Sequence, residues 1–190
     1  MAQSAASQSR RSALRSYRVA LNVGFVALGV ALSFASIPIG PAKVFPFQHM
    51  INILVAVLVG PWDAMLVAAI IGVIRNAMGT GTILALTAVF GGMVVGLIYR
   101  HVWRNDGAAL FEWVGSVVIG GAAGWLIVGS IAQPTKVLGF MAAGTPKPFL
   151  GVNGMLGLMI AFAVSVIPGD ILGFIVLKAL RAAGLMRLAE

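Results

Sequence analysis

Six apolar segments, separated by short polar or proline- and glycine-containing stretches, account for most of the chain. They cover residues 19–37, 46–60, 62–78, 82–102, 111–132 and 152–183. A bilayer's hydrocarbon core is crossed by helices of about 20 predominantly apolar residues, and most of these segments approach that length. The pattern predicts an all-α, polytopic integral membrane protein in which one bundle contains six transmembrane helices.

Two of the six segments have unusual lengths. The second covers about 22 Å as a helix, which is shorter than the roughly 30 Å hydrocarbon core. The sixth is too long, and we expect Pro168-Gly169 to interrupt it. In transporters, short or proline-broken spans mark binding sites. We therefore expect the proline-rich loop IPIGPAKVFPF, residues 37–47, to dip into the outer half of the bundle and cover a site.

Composition supports the membrane class. Hydrophobic residues make up 60% of the chain and charged residues only 9%, far fewer charges than a soluble domain of this size carries. Residues 1–18 are predicted to be a frayed cytoplasmic tail and residues 19–190 a single transmembrane domain. Cysteine is absent, which excludes disulfides and thiolate metal sites.

The net charge of +8 is explained without nucleic acid as a partner. Lysine and arginine accumulate on the cytoplasmic side of membrane proteins. With both termini cytoplasmic, six spans place nine of the thirteen basic residues on the inner side. We therefore predict a multi-pass protein of the cell membrane with its N- and C-termini inside and a lipid bilayer as its environment.

The densest group of polar residues opens the second segment. Gln48, His49 and Asn52 share one broad face of the predicted helix, because residues three and four apart are neighbours, and Lys43 and Phe47 lie just before them. Two interpretations are open. The group forms a hydrogen-bonding wall of a ligand pocket, or it bonds the backbone of the preceding loop.

A second polar group ends the third segment, at IRNAMGTGT. Arg75 either extends to the outer headgroups or turns inward toward a ligand. Asn76, Thr80 and Thr82 could supply neutral hydrogen bonds, and the glycines between them permit a tight turn.

Later segments contribute three further candidates. Asp170 is an acid deep inside a span, a position that is usually functional. It could pair with Arg75, bind a substrate hydroxyl or titrate, or form a structural contact. Trp125 could stack on a flat ring or pack against neighbours, and Asn153 could add a polar contact.

Catalytic motifs are not evident in the sequence. The two histidines, His49 and His101, fall near opposite faces of the membrane, so we expect no metal cluster. We find no Ser-His-Asp arrangement and no phosphate-binding loop. The sequence therefore predicts neither an enzyme nor a bound cofactor, and any ATP-driven work requires a partner.

Small residues recur at a spacing of four on the first helix, at Ala20/Gly24 and Ala27/Ala31. Such pairs let helices approach closely in lipid. The second pair is the best candidate for docking another membrane protein, although internal packing explains many such pairs.

The motifs GPAK, PFQH, GPW, IRN and GTGT occur in that order between residues 40 and 82. In this order they resemble the ThiW-type substrate-binding (S) components of energy-coupling factor (ECF) transporters, which are associated with the thiazole precursor of thiamine. The resemblance is strongest over residues 39–85 and looser elsewhere.

The resemblance implies a six-helix S-component fold, with loops after helix 1 and before helix 6 covering an outward site for a small thiazole-type substrate. It implies a transmembrane coupling protein and two ATPases as partners, docked through Ala27 and Ala31 together with Ala20 and Gly24. S components are thought to carry the closed site across the membrane by toppling.

Other functions remain open at this point. The chain could be a stand-alone or proton-coupled carrier that uses Asp170, an S component for another thiamine-related compound, or an assembly protein that binds no small molecule.

Overall fold

The computed structural model describes residues 2–39, 42–79, 83–129, 136–137, 140–141, 151–152 and 154–188. Within these ranges the main helices are α1 (Ala2–Leu32), α2 (Pro46–Leu58), α3 (Pro61–Ala77), α4 (Val89–His101), α5 (Gly120–Gly129) and α6 (Gly154–Ala182). Short 3₁₀ segments cover Ile83–Ala88, Asp106–Phe111 and Leu185–Leu188, and a π-helical segment covers Val114–Ile119. The described part of the chain is helical apart from two short hairpins, as predicted for an all-α protein.

The first hairpin lies between α1 and α2, where the sequence predicts a covering loop. Strands β1 (Ile37–Ile39) and β2 (Ala42–Val44) are antiparallel, with Pro38 opposite Lys43. Strand β2 contacts α6. A second two-stranded hairpin, β3 (Lys136–Val137) and β4 (Phe140–Met141), lies in the region before α6.

Helix α2 is the central element of the bundle. It contacts α1, α3, α4 and α6, and Ile51, Ile53 and Val55 are fully buried on it. A helix that is enclosed by neighbours is apolar on all sides, which matches the part of α2 that follows Asn52. At 13 residues it spans only about 20 Å, so the prediction of a short second helix is confirmed.

A tight turn joins α2 to α3, as the Gly60-Pro61 pair predicts. Gly60 has a φ of +147°, which disfavours any residue with a Cβ. Pro61 occupies the first turn of α3, where its missing N–H costs nothing. The Arg100 guanidinium lies beside this glycine and donates to the carbonyl oxygen of Val59 at 2.6 Å.

Helix α1 differs from the prediction at its start, because it is helical from Ala2 through the segment for which the sequence predicts a frayed tail. It is fixed to α3 by polar contacts. Arg18 Nε lies 3.0 Å from both carboxylate oxygens of Asp63, and Asn22 Nδ2 donates to the same carboxylate at 2.7 Å. Further along α1, Gly29 packs directly on the Ile71 side chain.

The expectation that Pro168-Gly169 interrupts the sixth segment is wrong, since α6 continues from Gly154 to Ala182 with the proline inside it. The reason is packing against α2. A Cβ placed on Gly169 would lie 2.5 Å from the Pro46 carbonyl oxygen, and one on Gly173 would lie 2.7 Å from Ile53. The two glycines therefore let α6 pack closely on α2 in the turns that follow the proline.

Two helical stretches, Asp106–Ile127 and Gly154–Ala182, are long and apolar enough to cross a membrane. Two shorter apolar helices cover Pro46–Leu58 and Leu86–His101. The number of six spans and the orientation of the termini stay predictions. We use "inner end" for the end of the bundle with Asp63, Arg100 and Asp106, which the charge count places in the cytoplasm, and "outer end" for the opposite one.

Candidate functional site

The first two turns of α2 place three polar side chains inside the bundle. Gln48, His49 and Asn52 are 7%, 4% and 1% exposed. Pro46 starts the helix, and the spacing of three and four puts all three side chains on neighbouring positions. Of the two interpretations, the structure excludes a group that only bonds the preceding loop, because these side chains contact other helices.

The partner that joins His49 and Asn52 is Glu112, which is fully buried. Its Oε1 atom lies 2.9 Å from His49 Nδ1, 3.1 Å from Asn52 Nδ2 and 2.8 Å from the Ser116 hydroxyl. Three donors on one oxygen stabilise a carboxylate in an apolar bundle. Gly91 makes room for it, since a Cβ there would overlap Glu112 Oε1 and Ser116 Oγ.

The local backbone explains how this acid is placed. Glu112 follows the 3₁₀ segment Asp106–Phe111 and precedes the π-helical segment Val114–Ile119. Segments of π-helix are rare and frequently lie at functional sites. The Ser116 hydroxyl reaches Glu112 from one turn further on, and it also lies 3.3 Å from the Ala88 carbonyl oxygen.

Arg75 is turned into the bundle and does not extend to the headgroups. It is 1% exposed. Its guanidinium donates to Gln48 Oε1, and its Cζ atom lies 3.8 Å from the centroid of the Phe45 ring, within cation–π distance. Arg75 therefore connects the end of α3 with the start of α2 and with the residue that follows the first hairpin.

Two residues of α6 face the same region. Ser165 Oγ accepts the backbone N–H of Phe45 at 2.8 Å. Asp170 is 4% exposed, interacts with the backbone of Trp113 and lies near Glu112. Among the described residues Asp170 and Arg75 form no ion pair, so one of the roles that the sequence allows for Asp170 is removed.

We call this set the buried polar cluster; its members are Gln48, His49, Asn52, Arg75, Asn76, Glu112, Ser116 and Asp170. Several of its atoms have no hydrogen-bond partner within the described residues: Gln48 Nε2, Asn52 Oδ1, Asn76 Nδ2, Glu112 Oε2 and Asp170 Oδ1. Buried polar atoms without partners are uncommon and costly in folded proteins. Such a concentration indicates a place where a ligand or water supplies the missing bonds.

The remaining predicted site residues are less central. Phe47 is partly buried on α2, and Trp125 is partly buried on α5 against Gly154 at the start of α6. Lys43 lies in β2, and its side chain is outside the described part of the structure. Thr80, Thr82 and Asn153 lie outside the described residues. For these positions a role in binding stays a prediction.

Sequence reasoning missed the residue at the centre of the cluster. Glu112 lies at the second position of the predicted fifth segment, where the sequence analysis gives it no role, although it is one of only five acidic residues in the chain. Its i,i+4 spacing to Ser116, between apolar neighbours, was the available signal. Phe45 was also missed, because its role depends on Arg75 turning inward, which no local pattern specifies.

The predicted docking residues lie on one exposed face of α1. Ala20, Gly24, Ala27 and Ala31 are all exposed, and a Cβ on Gly24 would meet nothing within 4 Å. The opposite face, with Phe25, Val26 and Gly29, packs on the rest of the bundle.

The cluster's chemistry is that of hydrogen bonding within an apolar bundle. Among the described residues no group of three or more His, Asp or Glu side chains is placed to hold a metal ion. Amides, an imidazole and two carboxylates can orient a small polar ligand.

Comparison with known protein families gives one match. Residues 19–183 match the family described as thiamine-precursor transporter protein (ThiW), which covers most of the chain and includes every residue of the buried polar cluster. No curated protein and no solved structure matches the chain.

Proposed function

The chain belongs to the ThiW family of thiamine-precursor transporters, and from this we propose that it is the substrate-binding membrane subunit of an ECF-type importer. In this proposal the substrate is hydroxyethylthiazole, taken up from outside the cell membrane. The family is one of transporters, and the chain's role is to bind and release its substrate unchanged.

The observation that carries the proposal is the set of unpartnered buried atoms in the buried polar cluster. Gln48, Asn52 and Asn76 present amide groups, and Glu112 and Asp170 present carboxylate oxygens, without protein partners among the described residues. A small heterocycle with one ring nitrogen and one hydroxyl would pair with atoms of both kinds. Each neutral hydrogen bond would contribute about 1 kcal/mol, and bonds to the carboxylates about 1.5–3 kcal/mol.

The elements around the cluster suggest how the substrate is enclosed. The first hairpin leads directly into Phe45, which is tied to α6 through Ser165 and to α3 through Arg75. Movement of this hairpin would open the cluster to the outer side, and its return would exclude water. Exclusion of water strengthens each polar contact with the substrate.

ATPase partners are part of the proposal because the sequence has no phosphate-binding loop of its own. The exposed small-residue face of α1, at Ala20, Gly24, Ala27 and Ala31, supports docking of a transmembrane coupling protein. Small residues allow close approach of helices in lipid, where packing drives association.

The experiment is calorimetric titration of the purified protein, in lipid nanodiscs, with hydroxyethylthiazole, the aminopyrimidine precursor and thiamine. We expect saturable one-to-one binding of the thiazole and weaker or no binding of the other two. Preferential binding of the pyrimidine or of thiamine would keep the transporter assignment and replace the substrate. Binding of none of the three would contradict the proposal.

A second candidate function is a carrier that needs no ATPases, and the buried Asp170 favours it, since intramembrane acids act in proton relays. Uptake by the chain alone in a host without coupling proteins would support this function, provided that Asp170→Asn abolishes uptake. Uptake only when a coupling protein and ATPases are present would exclude it.

A further inference from the structure

In the buried polar cluster, the unpartnered oxygen atoms and the unpartnered N–H donors belong to different residues. The unpartnered oxygens belong to three residues of the cluster: Asn52 Oδ1, Glu112 Oε2 and Asp170 Oδ1. Asn52 and Glu112 are joined by a 3.1 Å hydrogen bond, and Asp170 interacts electrostatically with Glu112. We call these three residues the acceptor group; their exposed fractions are 1%, 0% and 4%.

The nearby donors do not relieve this excess of acceptors. His49, Asn52 and Ser116 all approach the same atom, Glu112 Oε1. The second carboxylate oxygen of Glu112 and the side-chain oxygen of Asn52 have no donor among the described residues. A ligand that reaches these oxygens must therefore donate a hydrogen bond, and an anionic group would be repelled by the Glu112 carboxylate in a low-dielectric interior.

Unpartnered donors lie at a different place. Gln48 Nε2 and Asn76 Nδ2 are on α2 and α3, and Gln48 is one helical turn, about 6 Å, outward of Asn52 along α2. Hydroxyethylthiazole has the matching asymmetry. Its ring nitrogen accepts a hydrogen bond, and the hydroxyl at the end of its ethyl chain donates one.

We propose that the acceptor group binds the free hydroxyl of the thiazole, and that the protein therefore takes the alcohol and rejects its phosphate ester. This inference rests on the proposed function, and it specifies which form of the precursor is carried. Phosphorylation would remove the alcohol's donor and place a negative charge beside Glu112.

The test compares three ligands by calorimetric titration: hydroxyethylthiazole, 4-methyl-5-ethylthiazole, which lacks the hydroxyl, and hydroxyethylthiazole phosphate. For the wild-type protein we expect the alcohol to bind at least about tenfold more tightly than the ethyl analogue. This is the effect expected when a hydrogen bond to a charged group is lost. We expect no measurable binding of the phosphate.

Variants locate the effect. Glu112→Gln and Asp170→Asn should reduce the preference for the alcohol over the ethyl analogue to about threefold or less. Asp63→Asn is the matched control, because the Asp63 carboxylate is paired with Arg18 at the inner end. This variant should prefer the alcohol over the ethyl analogue as strongly as the wild-type protein does.

Wild-type protein that binds the alcohol and the ethyl analogue equally, or that binds the phosphate as tightly as the alcohol, would overturn this inference and leave the proposed function intact. If none of the three ligands binds the wild type, the proposed function fails, and this inference fails with it. These wild-type comparisons decide the question even if one of the variants does not fold.

Discussion

Gly91 lacks a side chain at the point where Glu112, the most buried carboxylate among the described residues, needs space. A Cβ there would overlap Glu112 Oε1 and Ser116 Oγ, two atoms that cannot separate without breaking their hydrogen bond. Gly24 provides the contrast, because a Cβ on it would meet nothing within 4 Å. The two glycines therefore have different roles, although both lie inside helices.

We predict that Gly91→Ala lowers the free energy of unfolding by about 1–3 kcal/mol, as overpacking does, and weakens thiazole binding. Gly24→Ala should leave stability unchanged or slightly raised, since alanine is the better helix former. Thermal unfolding of both variants in the same detergent measures the difference. Equal midpoints for the two would show that Gly91 does not accommodate Glu112.

Asn52 allows a second prediction at this scale. Asn52→Ala removes a donor to Glu112, and we expect it to weaken thiazole binding by about tenfold or more in protein that still purifies as a folded monodisperse sample. His49→Ala should act in the same direction. The control is Asn22→Ala, which removes an equivalent amide–carboxylate bond to Asp63 at the inner end and should not change affinity. Calorimetric affinities that are unchanged for both Asn52→Ala and His49→Ala would remove these residues from the site.

Individual residues were predictable where helical spacing decides their position. The i, i+3 and i+4 pattern placed Gln48, His49 and Asn52 on one face, and the structure buries all three. The direction of the Arg75 side chain was not predictable. Whether it extends to the headgroups or turns into the bundle depends on partners that are distant in the sequence, here Gln48 and Phe45. Glu112 was missed for a similar reason, since two of its three partners, His49 and Asn52, are on α2, far away in the sequence.

At the level of elements, local signals and tertiary packing compete at Pro168. Proline inside a helix costs about 3 kcal/mol relative to alanine, and a break in α6 was predicted from the sequence for this reason. The structure keeps α6 continuous because Gly169 and Gly173 lie directly on α2. The Gly60-Pro61 turn was predictable, since there the local geometry and the packing agree.

The contact between α2 and α6 gives a prediction of its own. Gly169→Ala places a methyl group against the Pro46 carbonyl oxygen and His49, so we expect α6 to move away from α2, with loss of thiazole binding and a lower unfolding temperature. Ile171→Ala, two residues further on at an exposed position, should change neither. Binding that persists undiminished in Gly169→Ala would show that this crossing does not position the site.

At the scale of the whole molecule, one face of α1 remains uncovered. Its small residues are exposed, and the face opposite packs on the bundle. The all-α class followed from hydrophobic segments alone, whereas the central position of α2 did not. Which helix becomes central depends on contacts between distant segments, and these leave no periodic signal in the sequence.

We predict that Ala27→Trp prevents assembly with the coupling protein and ATPases, because a large side chain keeps a partner helix at a distance, while thiazole binding to the isolated subunit is unchanged. The control is Ile175→Trp on the exposed surface of α6, which should assemble normally. Co-purification with the coupling module measures assembly. Normal assembly of Ala27→Trp would place the docking surface elsewhere.

The most direct measurement of the central claim is native mass spectrometry of the gently purified protein from cells supplied with hydroxyethylthiazole. We expect one bound thiazole per chain in the wild type and its loss in Asn52→Ala, with full occupancy retained in Asn22→Ala. A wild-type protein that never binds the thiazole, or that retains it equally in all three forms, would contradict the assignment of the buried polar cluster as the thiamine-precursor site.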